Sequence, residues 1–155
     1  MLRVCLVMIL LGTAAGCGAN PEAKTLPDTV PVSGVVTWNG QPLSAATVTF
    51  IPQGQTVGTE CQGKTDESGE YKLTQQHGGD GAPPGDYKVV ISLLLRGDGT
   101  PLPPEGVGEG AGAGGIAVES LPRQYSDISA TKLTAIVPPV GGEFKFELQG
   151  KKNAD

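Results

Sequence analysis

The sequence predicts an all-β domain, a single antiparallel β-sandwich of about seven strands, and three observations carry that reading. Apolar side chains recur at every second position in several stretches. The fullest is residues 85–95, where Tyr87, Val89, Ile91, Leu93 and Leu95 share one parity. That period places side chains on one face of a strand. No stretch beyond residue 16 carries apolar residues at helical spacing over a useful length. The alternating stretches are short and punctuated by Gly, Pro, Asn and Asp, the pattern of strands joined by tight turns.

Residues 30–38 form the first predicted strand, with Val30, Val32, Val36 and Trp38 on one face and Ser33 and Thr37 on the other. Asn39-Gly40 follows at once, a strong hairpin signal because both residue types tolerate positive φ. Residues 46–51 alternate again, with Val48 and Phe50 toward the core. Residues 57–65 read as a weaker strand with Val57, Thr59 and Cys61 inward. Asp66-Glu67-Ser68-Gly69 is a turn, and residues 70–74 resume with Tyr71 and Leu73 inward.

A polar Gly/Pro loop over residues 75–84 ends in Pro83-Pro84-Gly85 and launches the 85–95 strand. That strand is long and apolar enough to be central, with a neighbour on each edge. Residues 132–137 and 143–148 complete the set. In the last, Phe144, Phe146 and Leu148 point in while Glu143, Lys145 and Glu147 point out. The sandwich domain therefore spans residues 30–149, and residues 150–155 form a polar tail.

Residues 96–119 interrupt this pattern with eight glycines, Pro101, Pro103 and Pro104. Such a composition cannot bury enough apolar surface to offset the entropy of ordering it, so a disordered insertion is expected.

The first sixteen residues follow the order of an export signal: Arg3, an apolar run over residues 4–11, then small residues up to Gly16. The apolar run is far shorter than the roughly 20 residues a spanning helix requires. The ending Ala14-Ala15-Gly16-Cys17 resembles the lipobox of bacterial lipoproteins, although Ala14 stands where leucine is commonest. The resemblance implies cleavage between Gly16 and Cys17, and Cys17 as the lipid attachment site carrying diacylglycerol and an acyl chain such as palmitate. Gly18, not Asp, follows the cysteine, which by the same resemblance favours the outer membrane of a Gram-negative cell. Residues 17–29, with Pro21 and Pro27 among small and polar residues, then read as a flexible tether.

Charge and cysteine usage narrow the function classes. Loss of Arg3 with the signal lowers the basic side chains from 11 to 10 against 16 acidic ones, a net charge of −6. That balance argues against nucleic acid and against a polybasic membrane patch. Cys5 leaves with the signal and Cys17 is committed to lipid, so Cys61 has no intrachain disulfide partner. Its parity with Val57 and Thr59 places it in the core as a small apolar residue.

Three pieces together resemble the carboxypeptidase regulatory-like (transthyretin-like) family in the form found in small bacterial surface lipoproteins. They are Val32-Ser33-Gly34-Val35-Val36-Thr37 with Asn39-Gly40-Gln41-Pro42-Leu43, Gly63-Lys64-Thr65-Asp66-Glu67-Ser68-Gly69-Glu70-Tyr71, and residues 79–89 with Pro83-Pro84-Gly85-Asp86-Tyr87. Leu121-Pro122-Arg123-Gln124-Tyr125-Ser126-Asp127 resembles the segment before the last two strands in those lipoproteins. The resemblance implies an Ig-like/prealbumin-like sandwich and a non-catalytic accessory role. It transfers no active-site residues.

The residues themselves assign no catalytic, cofactor or metal site. Asp66 to Glu70 lack the fixed ligand offsets of a calcium loop, and Asp80-Gly81 and Asp98-Gly99 read as turns. His77, the one histidine, has no second ligand in view. Ser44, Ser92 and Ser126 sit in no nucleophile-elbow context, and Gly78-Gly79-Asp80-Gly81 is followed by no Lys-Ser/Thr of a phosphate loop. Trp38 and Tyr125 are the candidates for an aromatic ligand platform. The expected role is a lipid-anchored, non-enzymatic cell-envelope module of structural or interaction type, with envelope protein or glycan as partner. The alternative is a module that binds envelope polysaccharide or peptide through loops at one end of the sandwich.

Overall fold

The structure is a computed structural model that describes residues 28–75, 79–101 and 117–153. The signal segment, Gly16, Cys17, the start of the tether, His77 and most of the glycine-rich stretch lie outside the described residues. Apart from one helical turn, the regular structure of the described chain is all β. In order it forms β1 (Val32–Trp38), β2 (Gln41–Pro42), β3 (Thr47–Pro52), β4 (Cys61–Lys64), β5 (Glu70–Lys72) and β6 (Thr74–Gln75). It continues with β7 (Gly85–Ser92), β8 (Leu94–Leu95), β9 (Val118–Glu119), the single helical turn α1 (Arg123–Ser126), β10 (Thr134–Val137) and β11 (Gly142–Leu148).

One sheet holds β11, β1 and β2, with β5 also paired to β1, and the other runs β10-β7-β3-β4-β6. As expected, β7 is internal, flanked by β10 and β3. The inner faces of the two sheets meet around Phe50 of β3, whose ring lies 5.7 Å from Phe144 and 6.2 Å from Phe146 on β11. Tyr87 closes on Phe50 from β7 at 5.6 Å. Such pairs contribute about 0.5–1.5 kcal/mol each beyond their area burial. Val36, Val48, Cys61, Val89, Ile91 and Leu148 fill the rest of the core and are fully buried. Parity in β1, β3 and β7 is as read from the sequence.

Three expectations are corrected. Not every pairing is antiparallel: β1 and β11 run parallel, in register from Val32↔Gly142 to Trp38↔Leu148. The chain leaves β10 in one sheet and crosses through the Pro138–Gly141 turn into the other, so β11 arrives in the direction of β1. Period-two patterning carries no information on strand direction. The strand expected over 57–65 begins only at Cys61, and Val57 and Thr59 are exposed. Gly58 has φ 137°, which breaks the extended run.

The strand expected over 70–74 is two strands, because the chain changes sheets at Leu73. β5 pairs with β1, and β6 pairs with β4. The crossing is close enough that a Cβ on Gly63 would lie 2.4 Å from the Lys72 carbonyl oxygen. The polar tail is held through Asn153, whose N–H donates to Ser120 O at 2.6 Å and whose Nδ2 donates to Leu121 O at 2.8 Å.

The domain has two distinct ends, separated by the eight-residue β7, about 26 Å of extended chain. At the near end the described chain begins: Val30 exchanges backbone hydrogen bonds with Ala82, and Pro31 O accepts from Gly142 N. The far end holds the Asn39-Gly40 turn, α1, the 149–153 segment and the small β8–β9 sheet.

Candidate functional site

The sequence-assigned site, Gly16 and Cys17, lies outside the described residues, so its chemistry rests on the residues alone. The structure adds where the chain leading from it joins the fold, namely the near end through Val30 and Ala82. No helix among the described residues is long and apolar enough to cross a membrane.

An open groove of about 520 Å³ lies on the face of β1, β5 and the start of β11. Sheet register builds it. Ser33 stands between Lys72 of β5 and Glu143 of β11, and Val35 stands between Glu70 and Lys145. The result alternates charge sign across neighbouring strands. Lys145 Nζ and Glu143 Oε1 are 3.4 Å apart and exposed, so this pair contributes only ~0–1 kcal/mol. Gly34 holds the floor, since a Cβ there would lie 1.8 Å from Phe144 O.

Two polar groups of the groove, Tyr71 and Asp66, are engaged in holding the fold. Tyr71 Oη donates to Phe144 O at 3.1 Å, and burial pushes its hydroxyl pKa far up. Asp66 Oδ1 accepts from Ser68 Oγ, Ser68 N and Glu70 N. Those bonds, the Ser68 hydroxyl first, hold the Asp66 carboxyl below its ordinary range. This is the turn read from the sequence, with Gly69 at φ 78°. Among the described residues no three His, Cys, Asp or Glu side chains are grouped to hold a metal.

Cys61 faces the core as expected. Its Sγ lies 3.6 Å from Thr59 O, and burial pushes the thiol up to about 11. A thiol in that range is almost wholly protonated near neutral pH and is a poor nucleophile. Tyr87 Oη is also committed, donating to Pro83 O at 2.7 Å.

At the far end the two aromatic candidates come together, edge to face with centroids 6.1 Å apart. Trp38 is buried, and Tyr125 Oη donates to Gln149 O and accepts from Gln149 N, each at 3.2 Å. The pair therefore braces the 149–150 turn. Beside it a smaller recess of about 220 Å³ is lined by Gln124, Tyr125, Ala130, Lys132 and Leu133.

The far end also contains two carboxylates that sequence reasoning did not single out. Glu119 Oε1 accepts from Leu93 N at 3.0 Å and Leu121 N at 2.8 Å, and Oε2 accepts from Ser92 Oγ. It clamps the base of the glycine-rich stretch. The signal was its place as the last acidic residue before the apolar Leu121, which period-two reading ignores. Asp127 caps Ser129 and pairs with Arg123. The Ser129 hydroxyl and then the Arg123 guanidinium hold its carboxyl well below the usual range.

The ends of the 96–119 stretch are regular. Arg96 N donates to Thr100 O, Asp98 Oδ1 accepts from Thr100 N, and β8 pairs with β9 as Leu94↔Glu119 and Leu95↔Val118. Residues 102–116 are outside the described residues. Compared with protein-family models, curated proteins and solved structures, the chain matches none of them.

Proposed function

We propose that this chain is a lipid-anchored, non-enzymatic protein of the cell envelope, acting as a structural or interaction module with an Ig-like/prealbumin-like sandwich. The carboxypeptidase regulatory-like resemblance names the same fold. The observation that carries the reading is Ala14-Ala15-Gly16-Cys17 placed directly after a short apolar run. Two or more acyl chains on Cys17 suffice for stable anchoring. Supporting it, the leader-proximal chain joins the fold at one end, while the glycine-rich stretch leaves from the other. A domain tethered this way displays its insertion away from the bilayer. The committed hydroxyls of Tyr71 and Tyr87 and the protonated thiol of Cys61 fit a role without covalent chemistry.

The test is Cys17→Ser. The variant should lose metabolic labelling by fatty acid and accumulate as uncleaved precursor. A labelled, membrane-bound Ser variant contradicts the reading.

The recess beside Tyr125 and Lys132 favours a second reading, a polysaccharide- or peptide-binding module using far-end loops. Capture of envelope fractions on the immobilised domain separates the two. Saturable glycan or peptide retention that Lys132→Glu reduces favours the second.

A further inference from the structure

We propose that the near end of the domain is a lipid-contacting surface that seats on the bilayer in which Cys17 is anchored, an inference that rests on the lipid-anchor reading above. The near end exposes large apolar side chains in a cluster set by topology. Val57 is 70 % exposed, Ile136 72 % and Val140 86 %.

Their neighbours place them together. Thr56 Oγ1 accepts from Asp86 N and donates to Asp86 O, which lays the loop carrying Val57 across the start of β7. Ile136 pairs with that same Asp86 across β10 and β7, and Val137 pairs with Gly85. Val140 lies in the turn that follows, where Gly141 packs on Pro31. Pro138 and Pro139 are exposed beside it. Prolines bring no backbone N–H, so the tip presents few donors that an apolar boundary would leave unpaired.

Chain length names the occupant. Eleven residue steps separate Cys17 from Asp28, at most about 40 Å even when fully extended. Asp28 adjoins the near end, so this is the face that the anchor reaches with the shortest tether. Three side chains would not hold a free protein on lipid. A tethered domain has already lost its translational freedom, so a weak contact is occupied at the high effective concentration the tether sets. Asp28, Asp80 and Asp86 are also exposed at this end. They are repelled by an anionic surface, so the seat fits a zwitterionic leaflet.

The experiment uses the chain from Cys17 onward, coupled through Cys17 to a maleimide lipid in phosphatidylcholine vesicles, in a Cys61→Ala background. The tether then exists whether or not cells lipidate Cys17, and Cys17→Ser labelling reports the anchor reading separately. Val140→Trp and Val57→Trp are compared with Ile128→Trp at the far end, each against the parent that contains only Trp38. The expected result is several-fold stronger quenching by brominated lipid at 140 and 57 than at 128, diminished when phosphatidylglycerol is mixed in. Equal lipid quenching at all three sites overturns the proposal. So does a near end quenched only by aqueous iodide. Shielding of 140 from both quenchers overturns it too, and assigns the surface to a second copy or another protein.

Discussion

The two ends of this domain are held by different physics. The near end is closed mainly by backbone approaching backbone, with the Thr56 hydroxyl on Asp86 the side-chain exception. A Cβ on Gly81 would lie 1.9 Å from Val30 O, and one on Gly141 would lie 2.2 Å from Pro31 O. The far end is closed by side chains. Asn39 exchanges bonds of 3.0 and 3.1 Å with Gly150, Glu119 clamps Leu93 and Leu121, and Asn153 holds Leu121. Backbone closure leaves no room for a side chain to vary, whereas side-chain closure loses one bond at a time. The near end should therefore be intolerant of small changes and the far end graded.

The largest expected effect is Gly81→Ala. Its φ of +91° and the Val30 carbonyl together oppose any side chain, so destabilisation of about 3 kcal/mol or more is expected in denaturant titration. Gly40→Ala at the far end is the control. Its φ is +81° but nothing lies within 4 Å, so only the conformational cost of about 1 kcal/mol applies. Equal losses would erase the contrast between the ends.

Next is Glu119→Ala, which leaves the Leu93 and Leu121 amides without their acceptor. A loss of about 2–3 kcal/mol is expected, and Glu119→Gln, whose carbonyl oxygen can still accept from both amides, should lose much less. Cleavage by trypsin after Arg96 should quicken in the Ala variant, because the clamp closes the base of that segment. Unchanged cleavage and an unchanged midpoint would show that β8 and β9 close without it.

Smaller still is replacement of residues 102–116 by a short Gly-Asn linker. β8 and β9 already pair across the gap, and closure entropy changes slowly with length, so the shift should stay under about 2 kcal/mol.

Core chemistry supplies a prediction common to both ends. Cys61 has its thiol raised from 9.0 to about 11 by burial. The folded state thus holds the proton more tightly than the unfolded chain. The resulting stability is fully present below pH 9.0 and is lost as pH rises toward about 11. Thiol reagents should label Cys61 slowly in the native domain and quickly in denaturant. Rapid native labelling would contradict its burial.

What could be read from the sequence follows the same division. Parity in β7, the Asn39-Gly40 turn with φ of 51° and 81°, and the Asp66 turn are local, and local spacing predicts them. The direction of β11, the change of sheet at Leu73 and the exposure of Val57 depend on where distant chain passes. Alternation of polar and apolar residues is identical in parallel and antiparallel strands. Glu119 was illegible for a related reason. Two of its three partners are backbone amides, which no residue type announces. The groove on β1 is assembled from three strands far apart in sequence, so spacing along the chain could not bring its residues together.

Whether Cys17 anchors the near end to lipid is read by intact mass spectrometry of the chain extracted from membranes. The expected chain begins at Cys17 and carries the added mass of diacylglycerol, with or without an amide-linked acyl group. A chain in the soluble fraction with unmodified Cys17, or one cut at another residue, would contradict it.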